Sequence, residues 1–352
     1  MRGAHPLTQG QSSTKNRRRP RGQALGATLC LCLMLGGCSG QMPVTRTGFY
    51  LDTVVEITVY GEGNGVSSAQ DAADGAMELV GRYDRLFSPE GEGSDVAKIN
   101  SAGGKPVAVE AETADLIRRA CRYSELTEGA FDLTVAPETS LWDFRGESHA
   151  VPDAEVLSRA AALVDWRAVQ VDGQTVTLRG EGRAIDLGGV AKGYIADRVR
   201  EYLAGEGVSR ALINLGGNVY AMGDKYGGDW TIGIRDPAAA LAGEEALVAA
   251  VKVKDRSVVT SGVYERGFEI EGVLYHHILD PHTGRPVNNG LSSVTIVSAD
   301  SALSDALSTA CFVLGEERGL ALAETLEGVE ALFIRADGGM TATRGLVFEK
   351  AG

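Results

Sequence analysis

The sequence has little cysteine and fewer basic than acidic residues, and both shortages exclude classes of protein. Five cysteines occur in 352 residues, and three of them fall within the first 38 positions. The other two, Cys121 and Cys311, lie in apolar, helix-like stretches, so we predict two separate core thiols rather than a disulfide or a metal pair. Lys and Arg number 34 against 47 Asp and Glu, for a net charge of −13. This charge argues against nucleic acid as a partner, because phosphate contacts need a basic surface.

Long hydrophobic runs are also missing. No stretch reaches the roughly 20 apolar residues that span a bilayer, while 44% of the residues are hydrophobic, which excludes a disordered or fibrous chain. Glycine is abundant instead, with 46 residues. A soluble enzyme or binding protein is the default expectation.

The first residues have the layout of an export signal. Residues 1–23 carry six basic residues and no acid, and the apolar run Ala24–Leu35 leads into Leu35-Gly36-Gly37-Cys38. This pattern predicts a signal peptide of lipoprotein type over residues 1–37 and a lipid on Cys38, the alternative being an ordinary signal with an incidental cysteine. Removing residues 1–37 takes away six positive charges and no negative ones, which leaves a net charge of −19. Residues 38–48 are predicted to form a tether, and residues 49–352 one domain.

The order of predicted elements indicates an α+β fold with a mostly antiparallel mixed sheet and packed helices, rather than a doubly wound parallel sheet. Helices are expected after Ser68, Thr113 and Pro152, and over residues 190–203 and 301–314. Strands are expected over residues 51–60, 169–171, 175–178, 211–215, 230–234, 247–253 and 257–261, with hairpins over 264–279, turning at Glu271-Gly272, and over 331–348.

Paired glycines mark one candidate site. In the segment 185–194, an apolar strand passes through Gly188-Gly189 into a helix that carries Lys192 in its first turn. Free amides, a positive helix end and a lysine favour a phosphate or pyrophosphate ligand. The alternative is a tight glycine turn beside an exposed lysine.

A carboxylate and a hydroxyl mark a second candidate site. Asp305 and Thr309 are four residues apart on a predicted helix and so share one face. This pair suits Mg²⁺, which takes few protein ligands and completes its shell with phosphate oxygens; a solvated or locally bonded helix face is the alternative.

Histidines cluster in a third segment, which contains His276, His277 and His282. Strand neighbours point to opposite faces, so only one of His276 and His277 can face a site. A general base or a phosphate contact is the better functional interpretation, a purely structural histidine is the alternative, and zinc has little support.

Eight blocks of sequence follow one another along the chain: Asp52-Thr53-Val54, Phe87-Ser88 with Ser94 to Asn100, Thr127 to Asp132 leading to Leu141-Trp142, Asp186 to Gly193, Asn214 to Asn218, Thr260 to Gly262, His277 to Gly284, and Asp305 to Ala310. Taken in this order, they resemble the ApbE family of flavin transferases, which are exported enzymes or lipoproteins that move FMN from FAD onto a threonine of a partner protein. Two positions depart from the usual family pattern: Leu51-Asp52 replaces Met-Gly, and Glu90 stands at a position often held by tyrosine.

The resemblance implies Mg²⁺-dependent transfer with release of AMP. It implies that the metal is bound by Asp305, Thr309 and the carbonyl of Gly189, and that FAD contacts Leu51, Ala130, Phe131, Asp132, Asp186, Lys192 and Ile278. Asp305 and His277 are the expected catalytic residues, with His277 or a neighbouring carboxylate as the proton acceptor.

The implied partners are FAD, an exported acceptor protein and the membrane, reached through lipid on Cys38 at an extracytoplasmic location. The chain has no Ser-Gly-Ala-Thr-like acceptor segment, so it resembles the donor enzyme. Two alternatives stay open: an Mg²⁺-dependent FAD pyrophosphatase that yields FMN and AMP, and a flavin-binding lipoprotein without catalysis.

Overall fold

A computed structural model of the chain describes residues 43–61, 68–91, 93–144, 146 and 149–351. The predicted signal peptide over residues 1–37, and Cys38 with it, lie outside the described residues.

The central element is an antiparallel sheet, which has eight strands within the described residues. Every neighbouring pair runs antiparallel, which confirms the α+β prediction. In spatial order the strands are β1 (Val44–Tyr50), β2 (Thr53–Val59), β6 (Ala211–Leu215), β7 (Asn218–Met222), β10 (Arg256–Gly262), β15 (Leu291–Ser298), β16 (Glu330–Arg335) and β17 (Met340–Ala342).

Four smaller sheets surround it in the part of the chain that the structure describes. Two have three strands: β3 (Val107–Ala108), β5 (Thr175–Leu178) and β4 (Val169–Asp172) in one, and β18 (Phe348–Lys350), β9 (Leu247–Val253) and β8 (Trp230–Arg235) in the other. The other two are hairpin-like pairs, β11 (Gly267–Ile270) with β12 (Val273–His276), and β13 (Leu279–Asp280) with β14 (Arg285–Pro286). The first of these pairs turns at Glu271-Gly272, as predicted.

The helices differ widely in length. The longest contains a non-helical residue, Gly315, with φ 80°, so its first segment ends where the prediction placed the helix end. Among the described residues no helix is both long and apolar enough to cross a bilayer. The helices are α1 (Ala69–Phe87), α2 (Asp95–Ser101), α3 (Ala111–Leu126), α4 (Ala136–Thr139), α5 (Ala154–Ala161), α6 (Ala191–Gly205), α7 (Pro237–Leu241) and α8 (Ser301–Thr325).

Several element boundaries differ from the sequence prediction, and two of these differences have a clear physical reason. The chain enters β1 at Val44, so the predicted tether over residues 38–48 is wrong from that residue onward. Alternating exposure along β1 and full pairing with β2 hold these residues in the sheet. Helix α3 begins at Ala111 rather than after Thr113, because Thr113 is buried and donates its hydroxyl to Asp95 at 2.8 Å.

Helix α8 separates two hydrophobic clusters. Its Ala302, Ala306 and Ala310 pack with α1, α3 and α6, whereas Leu307 and Phe312 pack with β15 and β16 on the other side. Both cysteines are free thiols, as predicted: Cys311 is buried beside Phe312, and Cys121 is half-buried on α3.

Helices α6 and α8 cap each other with carboxylates. Helix α6 begins without a capping side chain of its own, and Asp305 of α8 accepts the amide of Gly193 at 2.9 Å. In return, Asp197 of α6 accepts the amides of Ser301 and Ala302 at 3.1 and 3.0 Å. Each helix therefore satisfies amides that the other leaves unpaired at its start, and each places a negative charge at a positive helix end.

Close approach of the two helices depends on Gly193. A Cβ atom built there would lie 2.1 Å from the carbonyl oxygen of Ser301, a backbone atom that cannot move alone. Gly205, at the end of the same helix, has open space around its Cβ position.

One buried acid has no partner. Glu138 is fully buried, and neither of its carboxylate oxygens forms a hydrogen bond to any described residue. Burial, with the nearby carboxylates of Asp280 and Asp132, raises the pKa of Glu138 to about 8. The folded protein thus keeps a proton that the unfolded chain releases near pH 4.

Replacing Gly193 with alanine should lower the free energy of unfolding by about 1–3 kcal/mol, because the added methyl group forces α6 away from α8. Gly205→Ala is the matched control and should leave stability unchanged or slightly higher. Denaturant unfolding of both variants tests this. Equal stability of the two would show that the helices can separate without cost.

Replacing Glu138 with leucine should stabilise the protein by about 1–4 kcal/mol at pH 8.5 and by less at pH 5. The sign follows from the raised pKa: the acid destabilises the fold progressively as pH rises from about 4 to 8 and fully above it. Urea unfolding at both pH values measures the gain. Glu138→Gln should remove the pH dependence while keeping a buried polar group, and a gain independent of pH would contradict the assignment.

Candidate active site

The predicted metal ligands converge at the start of α6. A Cβ atom on Gly189 would lie 3.7 Å from the hydroxyl oxygen of Thr309 and 3.2 Å from the ring of Phe131. Asp305, one turn before Thr309, bonds to the amide of Gly193 in the first turn of α6. Residues from three separate segments of the chain therefore surround one point.

Strand β10 contacts the hydroxyl of Thr309. Ser261 of β10 places its Oγ 3.4 Å from the Oγ1 of Thr309 and 2.8 Å from the Oγ of Ser308. Thr309 is partly exposed while Asp305 is buried, so the hydroxyl faces the open side. Among the described residues, no three His, Cys, Asp or Glu side chains lie together in a way that could hold a metal. A metal here would need carbonyl, hydroxyl or substrate oxygens besides Asp305.

Opposing effects act on the pKa of Asp305. Burial raises the pKa of its carboxyl, whereas the charge of Lys192 and the amides of Lys192 and Gly193 lower it. An ionised carboxylate has about four lone-pair sites. The hydrogen bonds from two backbone amides use two of these sites and leave the others for a cation.

The two adjacent histidines have different roles. His276 is buried, with its Nε2 2.9 Å from the carbonyl of Val287, its Nδ1 accepting the amide of Ile278 at 3.3 Å, and its ring edge-on to Phe312. His277 points the other way, and its side chain is 28% exposed. The structure therefore separates a structural histidine from one that faces the candidate site, as the alternation predicted.

The environment of His277 keeps its ring neutral. Burial and the charges of Arg266 and Lys192 lower the pKa of His277 to about 3. Its Nδ1 lies 3.3 Å from the carbonyl oxygen of Arg266, so the ring proton sits on Nδ1 and Nε2 is left as an acceptor. A neutral imidazole with an open Nε2 can accept a proton from a substrate hydroxyl.

Glu265 also belongs to the site, and the sequence analysis missed it. Its Oε2 lies 4.0 Å from the Nε2 of His277. The predicted turn at Glu271-Gly272 could have identified Glu265, because the turn fixes which residues face each other across the hairpin. Counting back from that turn pairs Gly267 with His276, which places Arg266 opposite His277 and Glu265 beside it.

The residues predicted to contact FAD differ in burial and in polarity. Ala130, Phe131 and Ile278 are buried apolar side chains. Asp186 is partly exposed, accepts the amide of Gly188 at 2.7 Å and lies 3.3 Å from the hydroxyl of Thr139.

Asp132 has a different arrangement. One of its carboxylate oxygens accepts the amide and the hydroxyl of Thr134, at 2.8 and 2.6 Å, and the other accepts the amide of Trp166 at 3.0 Å. The carboxylate therefore holds its own loop together, and any contact it makes with FAD has to share these bonds.

Leu51 sits in a strained turn between β1 and β2. Leu51 and Asp52 have φ values of 53° and 56°, a left-handed conformation that costs free energy in residues with a side chain. Asp84 of α1 offsets part of that cost by accepting the amide of Leu51 at 3.0 Å. The neighbouring turn at Gly216-Gly217 lies against Thr53, so this paired-glycine motif forms a tight hairpin turn beside the first.

Comparison with known proteins identifies the family. The model of the ApbE family matches residues 51–333. A FAD:protein FMN transferase from Treponema pallidum is 36% identical over 92% of this chain and 94% of its own length. One from Klebsiella pneumoniae is 42% identical over 74% of this chain and 81% of its own length.

Solved structures give the same result for the fold. The crystal structure of the ApbE protein from Thermotoga maritima has a TM-score of 0.78 and 35% identity, and covers 86% of this chain and 97% of that one. The flavin transferase ApbE from Vibrio cholerae has a TM-score of 0.76 and 29% identity, and covers 86% of this chain and 96% of that one. The α+β fold is therefore the ApbE fold, and the chain belongs to the ApbE family.

Proposed function

We propose that this protein transfers FMN from FAD to a threonine of an exported partner protein, with Mg²⁺ bound and AMP released. Membership of the ApbE family supports a flavin transferase. The observation that carries the proposal further is the convergence of Asp305, Thr309 and Gly189 beside Lys192.

The residues present fit Mg²⁺. A carboxylate, a hydroxyl and a backbone carbonyl are the hard oxygen ligands that this ion prefers, and too few protein ligands are present to exclude substrate oxygens. Mg²⁺ bound by Asp305, Thr309 and the carbonyl of Gly189 would supply positive charge to the pyrophosphate of FAD. Burial of Asp305, with its position fixed by the amide of Gly193, keeps this ligand in place before the substrate arrives.

Other residues orient the substrate. Lys192 and the start of α6 offset the charge of the pyrophosphate. Phe131 and Ile278 provide apolar walls for the rings of FAD, and Asp186 offers a partly exposed carboxylate to its polar edges. This chemistry depends on positioning and on charge neutralisation, as is usual for phosphoryl transfer.

His277 is the proposed proton acceptor. The hydroxyl oxygen of the acceptor threonine attacks the phosphorus on the FMN side, the bond from that phosphorus to the bridging oxygen breaks, and AMP leaves with the electron pair. The proton of the threonine passes to Nε2 of His277. A pKa of about 3 keeps this ring neutral at pH 7, and the contact of its Nδ1 with Arg266 leaves Nε2 able to accept.

We also propose that Cys38 carries a lipid that anchors the protein on the extracytoplasmic side of the membrane. The sequence of residues 1–38 supports this proposal.

Asp305→Asn and Thr309→Val should lower the rate of transfer by about 100-fold or more, because each removes an oxygen ligand from the metal. The assay combines purified protein, FAD and Mg²⁺ with an acceptor domain that carries a Ser-Gly-Ala-Thr segment. It follows AMP release and the intact mass of the acceptor. Chelation of Mg²⁺ should stop both signals.

The matched control for that experiment is Ser308→Ala, which removes a buried hydroxyl next to Thr309 and should cost about 1 kcal/mol of stability while leaving the Mg²⁺ dependence unchanged. An acceptor with its threonine changed to valine should gain no mass. Release of free FMN without a gain in acceptor mass would show that the protein is a pyrophosphatase rather than a transferase. FAD left intact in the presence of Mg²⁺ would indicate a binding protein.

Cys38→Ser should move the protein from the membrane fraction to the soluble fraction of cells that express the full chain, because a lipid anchor needs the thiol. Fractionation followed by detection of the protein measures this, with Cys32→Ser as the matched control that should stay with the membrane. Equal distribution of the two variants would contradict the anchor.

A further inference from the structure

The feature that carries a further inference is the base of the β11–β12 hairpin. The carbonyl oxygen of Arg266 accepts the backbone amide of His277 at 3.1 Å and lies 3.3 Å from its Nδ1. Two contacts to one carbonyl fix the ring plane and the tautomer of His277. The other nitrogen, Nε2, then points toward Glu265.

Glu265 and His277 are reachable by substrate. Their side chains are 27% and 28% exposed, with Oε2 4.0 Å from Nε2. At this separation a proton on Nε2 makes an ion pair with the carboxylate, whereas without that proton no direct hydrogen bond joins the two groups.

The surroundings of this pair favour a role for Glu265 beside the protonated ring. Burial and the charge of Asp305 on α8 raise the pKa of Glu265, whereas Lys192 on α6, Arg266 on the hairpin and Arg235 on β8 lower it. Burial, Arg266, Lys192 and the neighbouring His276 each disfavour a charged His277. The Oε2 of Glu265, 4.0 Å from Nε2, is placed to stabilise an imidazolium there.

We propose that Glu265 is a positioning residue for transfer, which stabilises the protonated form of His277 once its Nε2 has accepted the proton of the threonine hydroxyl. This proposal rests on the role of His277 given above. As the bond from the threonine oxygen to phosphorus forms and the bond to the AMP phosphate breaks, the hydroxyl proton moves to Nε2. The carboxylate of Glu265 balances the new charge until the proton passes to the AMP phosphate or to water.

The role of Glu265 predicts a loss of kcat without a matching change in KM. Glu265→Gln should lower kcat about 10- to 100-fold, which is part of the contribution of a general base, with little change in KM for FAD. Glu265→Asp keeps the charge and should restore part of the lost kcat, which a purely structural role would not predict.

The experiment measures kcat and KM for AMP release, together with the acceptor mass, for the wild type, Glu265→Gln, Glu265→Asp and His277→Asn. Glu269→Gln, which changes an exposed acid on the same hairpin, is the matched control and should behave as the wild type. A Glu265→Gln enzyme with wild-type kcat, beside an inactive His277→Asn enzyme, would overturn the role of Glu265 alone. A fully active His277→Asn enzyme would show that His277 is not the proton acceptor, and a wild type that releases no AMP would refute the transferase function.

Discussion

The exchange of carboxylates between α6 and α8 is the interaction on which the rest of the site depends. Asp197 accepts amides at the start of α8, and Asp305 accepts amides at the start of α6. The bonded residues are 104 to 112 positions apart in the chain, so this pairing depends on the tertiary fold. Because Asp305 is also the proposed metal ligand, the bond that joins the two helices also orients the reactive group.

The site gathers positive charge in an acidic protein. The chain has a net charge of −13, yet Lys192, Arg266 and Arg235 all act on the pair of Glu265 and His277. These cations can offset the charge of a substrate with two negative phosphates, whereas the acidity of the whole chain opposes general binding of polyanions. A net negative charge on the whole chain is therefore compatible with a few cations close to the substrate.

Sequence reasoning found those parts of the site that depend on local spacing. Thr309 follows Asp305 by one helical turn, and His277 alternates with His276 on a strand, so both placements could be predicted. Strand β15 was missed because it is buried along its whole length, and a strand covered on both faces lacks alternation. The partnership of Asp197 with the start of α8 could not be predicted, because it depends on tertiary packing.

The early start of β1 limits the distance between Cys38 and the sheet. With strand pairing from Val44 onward, five residues separate the sheet from Cys38, and five extended residues span at most about 18 Å. If Cys38 carries a lipid, the first strand is held within about two nanometres of the bilayer surface. The domain could then act only near the membrane, which favours partners that are themselves attached to the membrane over proteins that diffuse freely.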